Sequence, residues 1–381
     1  MLLVGYFEGI DSQRGIAWRC ADSLSLRQFL GIPLDKPTPD PKTLGNTRHR
    51  LPEEVFDEMF QFVLSIAAKK KLLSGKTVGV DSTLLEANAA MKSIVRRDTG
   101  EDWKQFVTRL MREEGAIAED HEPTAEEVRR FDKKRKDKKV SNDEWVSSTD
   151  SESRIARMKD GRTHLAYKAE HVVDLQSDLI LAAEIYPADH GDTQTLVDSV
   201  LDAVENVQQA DSEIEIEEIV ADKGYHAAET LELAQDLNFR TYIPERKSPH
   251  RSRWTDKPAE FQQAVYANRR RLKRGKNRKL QRLRCERVER TFAHVCDTGG
   301  MRRSWLTGAV NVSKRYLIAA AAHNLGRIMR KLFGIGKPRT LQDLGALAAL
   351  AQLLVMRWIA LRTGWIRRAN STRSIPAAAA A

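Results

Sequence analysis

The sequence predicts a mixed α/β fold, preceded by a helical segment and interrupted by a charged helical insertion. Three observations point to it. Apolar residues recur at helical spacing through the first 75 residues; short β-like apolar runs alternate with helical stretches after residue 160; and residues 86–160 are charged and poor in large apolar side chains. At 381 residues, 41% of them hydrophobic, the chain can bury the core of one large domain or of two to three modest ones. The formal net charge of +10 favours an anionic partner, nucleic acid before membrane. Cys20, Cys285 and Cys296 are scattered without CxxC spacing, which indicates neither a disulfide framework nor a zinc site and fits a reducing cytoplasm. The first nine residues lack a cleaved-signal pattern, and the apolar run at 344–356 is too short to span a bilayer, so a soluble protein is expected.

The elements follow in order. Residues 24–30 and 55–68 have helical periodicity, and between them 33–41 is a Pro/Asp-rich connector whose Asp40 is placed to cap a helix over 43–51. Two short helices about such a turn suit a DNA-reading unit, with Arg48, His49 and Arg50 clustered there, or an ordinary helical bundle. Residues 77–81 form a short β-like run ending in Asp81. The insertion follows, with a dense basic knot at 133–139 that reads as a solvated face or linker. Strand character returns at 171–174 and 179–185, around a hairpin turn at 175–178. Residues 195–208 have helical spacing, 213–221 alternate acid with isoleucine and run apolar into Asp222, and 241–244 form a further short strand.

Residues 246–284 hold 15 Lys/Arg against Asp256 and Glu260, with Trp254 and Tyr266 among them. Such a block of like charge repels itself unless a polyanion neutralises it. Arg269, Arg270, Arg271, Lys273, Arg274, Lys276, Arg278 and Arg282 are therefore expected to contact phosphates, giving affinity and salt dependence rather than sequence choice. A solvated helix face is the plain alternative.

Asp81 and Asp222 each follow a run of small or β-branched apolar residues, so each is expected at the end of a buried strand; a turn or cap Asp is the ordinary alternative. Lys223-Gly224-Tyr225 makes a turn after Asp222 and 227–235 are helical, a strand-to-helix edge of the kind on which sites are built. Hard cations such as Mg²⁺ take oxygen ligands, and two-metal phosphoryl transfer holds its ions about 3.5–4 Å apart, for which two carboxylates are few. The helix expected over 279–296 offers Glu286 and Glu289. Val288, Phe292 and Val295 define its packed face; at about 100° per residue Glu289 lies at the flank of that face and Glu286 points away. Glu289 is the better third acid and Glu286 the alternative. Arg282 shares the flank of Glu289 and is placed to hold a phosphate. Asp189, His190 and Asp192 lie in a polar loop and read as a turn with a helix cap rather than as ligands.

VGVDST at 78–83, VADKGY at 220–225 and RVERTF at 287–292, in that order, resemble the DDE transposases of bacterial insertion sequences. SSTDSESRIARMKDGRTHLAYKAEHVVD (147–174), TGGMRRSWLTG (298–308), AAAAHNLGRIMRK (319–331) and the N-terminal GIDSQRGIAWRCADSLSLRQFLGI are similar to further segments of that family, so the likeness covers most of residues 5–335. The resemblance implies an RNase H-like catalytic domain over 76–335 carrying the insertion, a helical DNA-binding domain over 1–75, and a tail over 336–381 outside the likeness. It implies Asp81, Asp222 and Glu289 as a metal-binding triad for Mg²⁺ or Mn²⁺, as two ions. The implied reaction is cleavage of DNA at transposon ends followed by strand transfer, by a homodimer on DNA in the bacterial cytoplasm, associated with the nucleoid.

Many relatives also carry Tyr, Arg and Lys seven before, four before and seven after the glutamate. From Glu289 those positions are Arg282, Cys285 and Cys296; from Glu286 they are Lys279, Arg282 and Ala293, of which only Arg282 agrees. Relatives commonly have more sequence upstream, so an N-terminally truncated copy is one expectation. The competing readings are a DNA-binding remnant that no longer transposes and a metal-dependent nuclease of the same fold.

Overall fold

The computed structural model describes residues 1–136, 140–246 and 256–336. Part of the basic knot, Trp254 with its flanking cations, the apolar run at 344–356 and the tail from 337 lie outside the described residues. Residues Met1–Arg327 form one compact unit; a second begins at Ile328, where the described residues complete the last helix.

Five helices come first: α1 (Leu2–Glu8), α2 (Gln13–Asp22), α3 (Leu24–Phe29), α4 (Pro41–Arg50) and α5 (Glu54–Lys69). Polar caps start α2, α3 and α4: Ser12 accepts from the Gly15 amide, Ser23 from Leu26, and Asp40, as expected, from Thr43. Ile16, Ala17, Cys20 and Leu44 make a small core of their own. The apolar stripe of α5, Phe56, Phe60, Val63, Leu64 and Ala67, is buried.

The main sheet is built from β1 (Thr77–Glu86), β4 (Arg154–Arg157), β5 (Thr163–Asp174), β6 (Ile180–Pro187), β7 (Glu218–Val220) and β8 (Arg240–Tyr242). Strands β1, β7 and β8 run parallel; β5 pairs antiparallel with β1 on one edge and with β4 and β6 on the other. Helices α8 (Asp192–Ala210), α9 (Ala228–Asp236), α10 (Ala259–Leu272), α11 (Gly275–Phe292) and α12 (Ala309–Phe333) flank it. Successive residues of a strand face opposite sides, and Asp81 meets α11 while Ser82 meets α8, so the sheet is covered on both faces.

Two expectations need correction. Asp81 does not end its strand: β5 supplies pairing from Val78 to Glu86, so β1 continues past the acid. The alternating run at 213–221 is not one long strand, because only Glu218–Val220 finds strand partners on both sides. The predicted hairpin is present and longer than expected, turning at Asp178 with φ 63°.

The insertion also differs from a purely helical one. Between β1 and β4 it holds β2 (Ile94–Arg96) and β3 (Trp145–Ser147), which pair antiparallel, with α6 (Trp103–Glu113) and α7 (Ala125–Lys134) between them. Val107, Met111 and Val128 form its core, and the Arg96 guanidinium lies 5.0 Å from the Phe106 ring centroid and 5.7 Å from that of Trp145.

Glu184 on β6 is the costliest acid of the framework. Burial, and then the charges of Asp202, Asp57 and Glu53, push its carboxyl up to about 8. The folded state thus keeps a proton that the unfolded chain releases near the ordinary carboxylate range, and stability falls as pH rises from there through about 8. Glu184→Gln is expected to raise the melting temperature by a few degrees at about pH 9 and to leave it unchanged near pH 4, as read by thermal unfolding across pH.

Candidate active site

The parallel register of β1 and β7 brings the two aspartates together. The last pair is Gly79 with Val220, and Asp81 and Asp222 each lie two residues further on. Both therefore sit where β7 has ended and β1 has lost its neighbour on that side. The Asp222 carboxylate accepts from the Gly224 amide at 2.7 Å and starts a single 3₁₀ turn, Lys223–Tyr225. Burial pushes the Asp81 carboxyl up; the Arg284 guanidinium opposes that shift and the charge of Asp222 adds to it, with a raised value as the result.

Helix α11 crosses the sheet diagonally. Near its start Lys276 reaches Glu218 on β7, the Gln281 amide donates to the carbonyls of Ala221 and Tyr242, and Thr291 reaches His171 on β5. Gly79 permits the crossing: a Cβ there would come within 2.7 Å of Leu175 Cδ2, 3.0 Å of Val288 Cγ2 and 3.2 Å of Arg284 Cγ. Beside it Phe292 stacks on His171, with ring centroids 4.0 Å apart. Thr291 donates to the Val288 carbonyl, so its hydroxyl accepts from His171 Nδ1, and the Tyr316 hydroxyl donates to Nε2. Complete burial holds the His171 pKa well below its ordinary value, so the ring is neutral at pH 7.

The packed face of α11 and the turn that follows it is the expected one: Val288, Phe292 and Val295 are all buried. Glu286 bonds Arg290 at 2.6 Å, and Arg290 with Arg287 is held by Asp178 in the β5–β6 turn. Glu289 is exposed one turn beyond Cys285, whose Sγ lies 3.3 Å from Arg284 Nη2. Asp81 is engaged by Arg284 at 2.7 Å. Among the described residues no three His, Cys, Asp or Glu side chains gather closely enough to hold a metal ion.

Two groups that the sequence did not single out for the site lie beside it. Asp192, the first residue of α8, accepts from Ser82 Oγ at 3.0 Å and pairs with Lys168 at 2.9 Å. Its carboxylate also approaches that of Asp222: a Cβ on Gly224 would lie 2.7 Å from Asp192 Oδ2 and 2.9 Å from Asp222 Oδ1. Lys168 is buried, and it also bonds Thr195 and pairs with Glu170, which accepts from Tyr225. The helix cap expected in this loop falls to Gly191.

The basic stretch divides into cations that pair within the fold, of which Lys276 stays half-exposed, and cations that face outward. Arg269 is buried against Glu245, Arg271 bonds the Thr241 carbonyl and hydroxyl, and Lys276 pairs with Glu218 at 2.6 Å. Arg270, Lys273, Arg274, Arg278 and Arg282 are exposed. On α11, Arg278, Arg282, Cys285 and Glu289 follow at i, i+4, i+7 and i+11 and share one exposed flank.

A mixed sheet covered on both faces, acids at the edge of its parallel strands and an arginine-rich helix beside them describe an enzyme of nucleic-acid chemistry. The family comparison is specific: the Transposase DDE domain model matches residues 120–325, just over half the chain, and the Transposase domain (DUF772) model matches residues 1–50. The chain belongs to the DDE transposases of insertion sequences, enzymes that act on DNA and generally use divalent metal ions. The longer match contains Asp222 and Glu289 and begins after Asp81. No curated protein and no solved structure matches the chain. Among the described residues no helix is long and apolar enough to cross a membrane.

Gly79→Ala is expected to press first on Leu175 and then on Val288 and Arg284, and to lower stability by about 1–3 kcal/mol, the usual scale of overpacking. Adding Val288→Ala should relieve part of that strain, so melting of the double variant is expected to show non-additive coupling.

Proposed function

We propose that this transposase cuts DNA at the ends of its element and joins the freed 3′ end to target DNA, with Asp81, Asp222 and Glu289 as its acidic triad. The observation that carries this reading is the β1–β7 register, which brings Asp81 of β1 and Asp222, just past β7, side by side where the parallel pairing ends. The strand order β6-β5-β1-β7-β8, with β5 alone antiparallel to β1 and its parallel partners, supports an RNase H-like core over 76–335. We read residues 1–75 as the DNA-binding helical part and a homodimer as the assembly that pairs two ends.

Mg²⁺ or Mn²⁺, as two ions, is the cofactor in this reading, and carboxylates are its natural donors. The set is incomplete: Asp81 and Asp222 converge and Asp192 approaches Asp222, but Asp81 is paired with Arg284 and Asp192 with Lys168, and among the described residues no three such groups gather closely enough for an ion. The protein's own part is positional. The flank carrying Arg278 and Arg282 leads along α11 towards Glu289, and Gln281 anchors the neighbouring flank at the end of β7. A DNA strand whose phosphates follow those arginines is delivered to the aspartate edge.

Asp81→Ala, Asp222→Ala and Glu289→Ala are each expected to abolish cleavage and strand transfer on DNA carrying the element's ends while retaining DNA binding; Glu286→Ala should stay active. A wild-type protein that binds but never cuts would instead mark a remnant, and cutting without joining would mark a nuclease. Replacing Arg270, Lys273, Arg274, Arg278 and Arg282 singly by Ser should weaken binding uniformly across sequences and reduce the salt slope by about 1 for each phosphate left without its cation. Arg269→Ser and Arg271→Ser should act mainly on stability.

A further inference from the structure

Arg284 is unusual among the cations of α11. Its side chain is 8% exposed, and it reaches from the helix across the face of β1 to Asp81 Oδ2. It is poorly satisfied there. A guanidinium offers five N–H donors; here Nη1 has the carboxylate, Nη2 has the weak acceptor Cys285 Sγ, and Nε is buried without a partner. The other Asp81 oxygen accepts from the Ser82 amide at 2.9 Å. Asp81 is thus neutralised by one internal cation that is held chiefly by charge rather than by a hydrogen-bond network.

A partly buried aspartate beside a second carboxylate is stabilised by such a counter-charge, since two like charges side by side otherwise favour protonation of one. A divalent cation meets the same requirement more strongly, and two cations sharing one oxygen repel each other. We propose that Arg284 competes with divalent cations for Asp81: it keeps the aspartate edge assembled, and it must be displaced before an ion can take Asp81 Oδ2. The incomplete satisfaction of the guanidinium lowers the cost of that displacement, and a DNA phosphate is the bidentate acceptor suited to receive it. This inference rests on the reading of Asp81 as a metal ligand.

The test is Mn²⁺ binding by titration calorimetry on the full chain without DNA. Arg284→Gln, which retains a side-chain donor, and Arg284→Met, which retains the stem, are each expected to bind Mn²⁺ on the order of tenfold more tightly than wild type. Arg284→Lys, which retains the charge, should stay near wild type. Adding Asp81→Asn to Arg284→Gln should remove the gain. Melting in EDTA identifies which variants are folded and hence interpretable. Folded Arg284→Gln or Arg284→Met binding Mn²⁺ no more tightly than wild type overturns the competition while leaving Asp81 as a ligand. Binding that Asp81→Asn does not alter, even in wild type, overturns the ligand reading and the competition with it.

Discussion

The close crossing of α11 over β1 at Gly79 is the constraint on which the site depends. Without a side chain at that position, Val288 and the stem of Arg284 rest directly on the strand, and every later position of the helix is set by that contact. One residue type at one point of β1 therefore fixes how far Glu289 stands from the aspartate edge. It also explains why the cation reaching Asp81 is Arg284 and not one of its exposed neighbours. Asp178 secures the other end of the crossing, where the β5–β6 turn presents its carboxylate to Arg287, Arg290 and Arg327. Three charge-assisted contacts on one buried acid hold α11 and the adjoining part of α12 to the same hairpin.

Much of the framework was legible because it follows local rules. The Asp40 cap, the hairpin after Asp174 and the buried face of Val288, Phe292 and Val295 all depend on residues close in sequence. What was not legible depends on partners far away. The extension of β1 past Asp81 requires β5, and the shortness of β7 reflects which residues find neighbours on both sides. The strands β2 and β3 have three residues each, too few to display a period of two. Asp192 reads in the sequence as part of a turn because its neighbours Ser82 and Lys168 are brought to it only by the sheet.

The basic stretch shows the same limit in electrostatic terms. Composition marks residues 246–284 as cationic but cannot say which charges are already used. Folding gives Lys276 to Glu218, Arg269 to Glu245 and Arg284 to Asp81, so each internal acid removes one cation from the outward field. The exposed remainder is still unpaired enough to attract a polyanion, and it lies along the helix that borders the acids. The same run of arginines and lysines thus stabilises the fold and leaves an exposed cationic flank along α11.

The missing signature around Glu289 has a structural counterpart. Counting seven residues on to position 296 presumes a regular helix, in which that position would return to the flank of Glu289. Here α11 passes into a π-helical turn at Ala293–Thr298, which advances less per residue and rotates the later side chains towards the packed face. Cys296 is accordingly buried, lies 3.8 Å from the Tyr316 hydroxyl, and has its thiol pushed up to about 11 by burial. A lysine at that point would bury its ammonium group beside Tyr316 and the His171 cluster, at a desolvation cost that this packing does not offset. The departure at 296 therefore goes with the geometry of the helix end, whereas Cys285, on a regular turn and in contact with Arg284, remains part of the surface beside the acids.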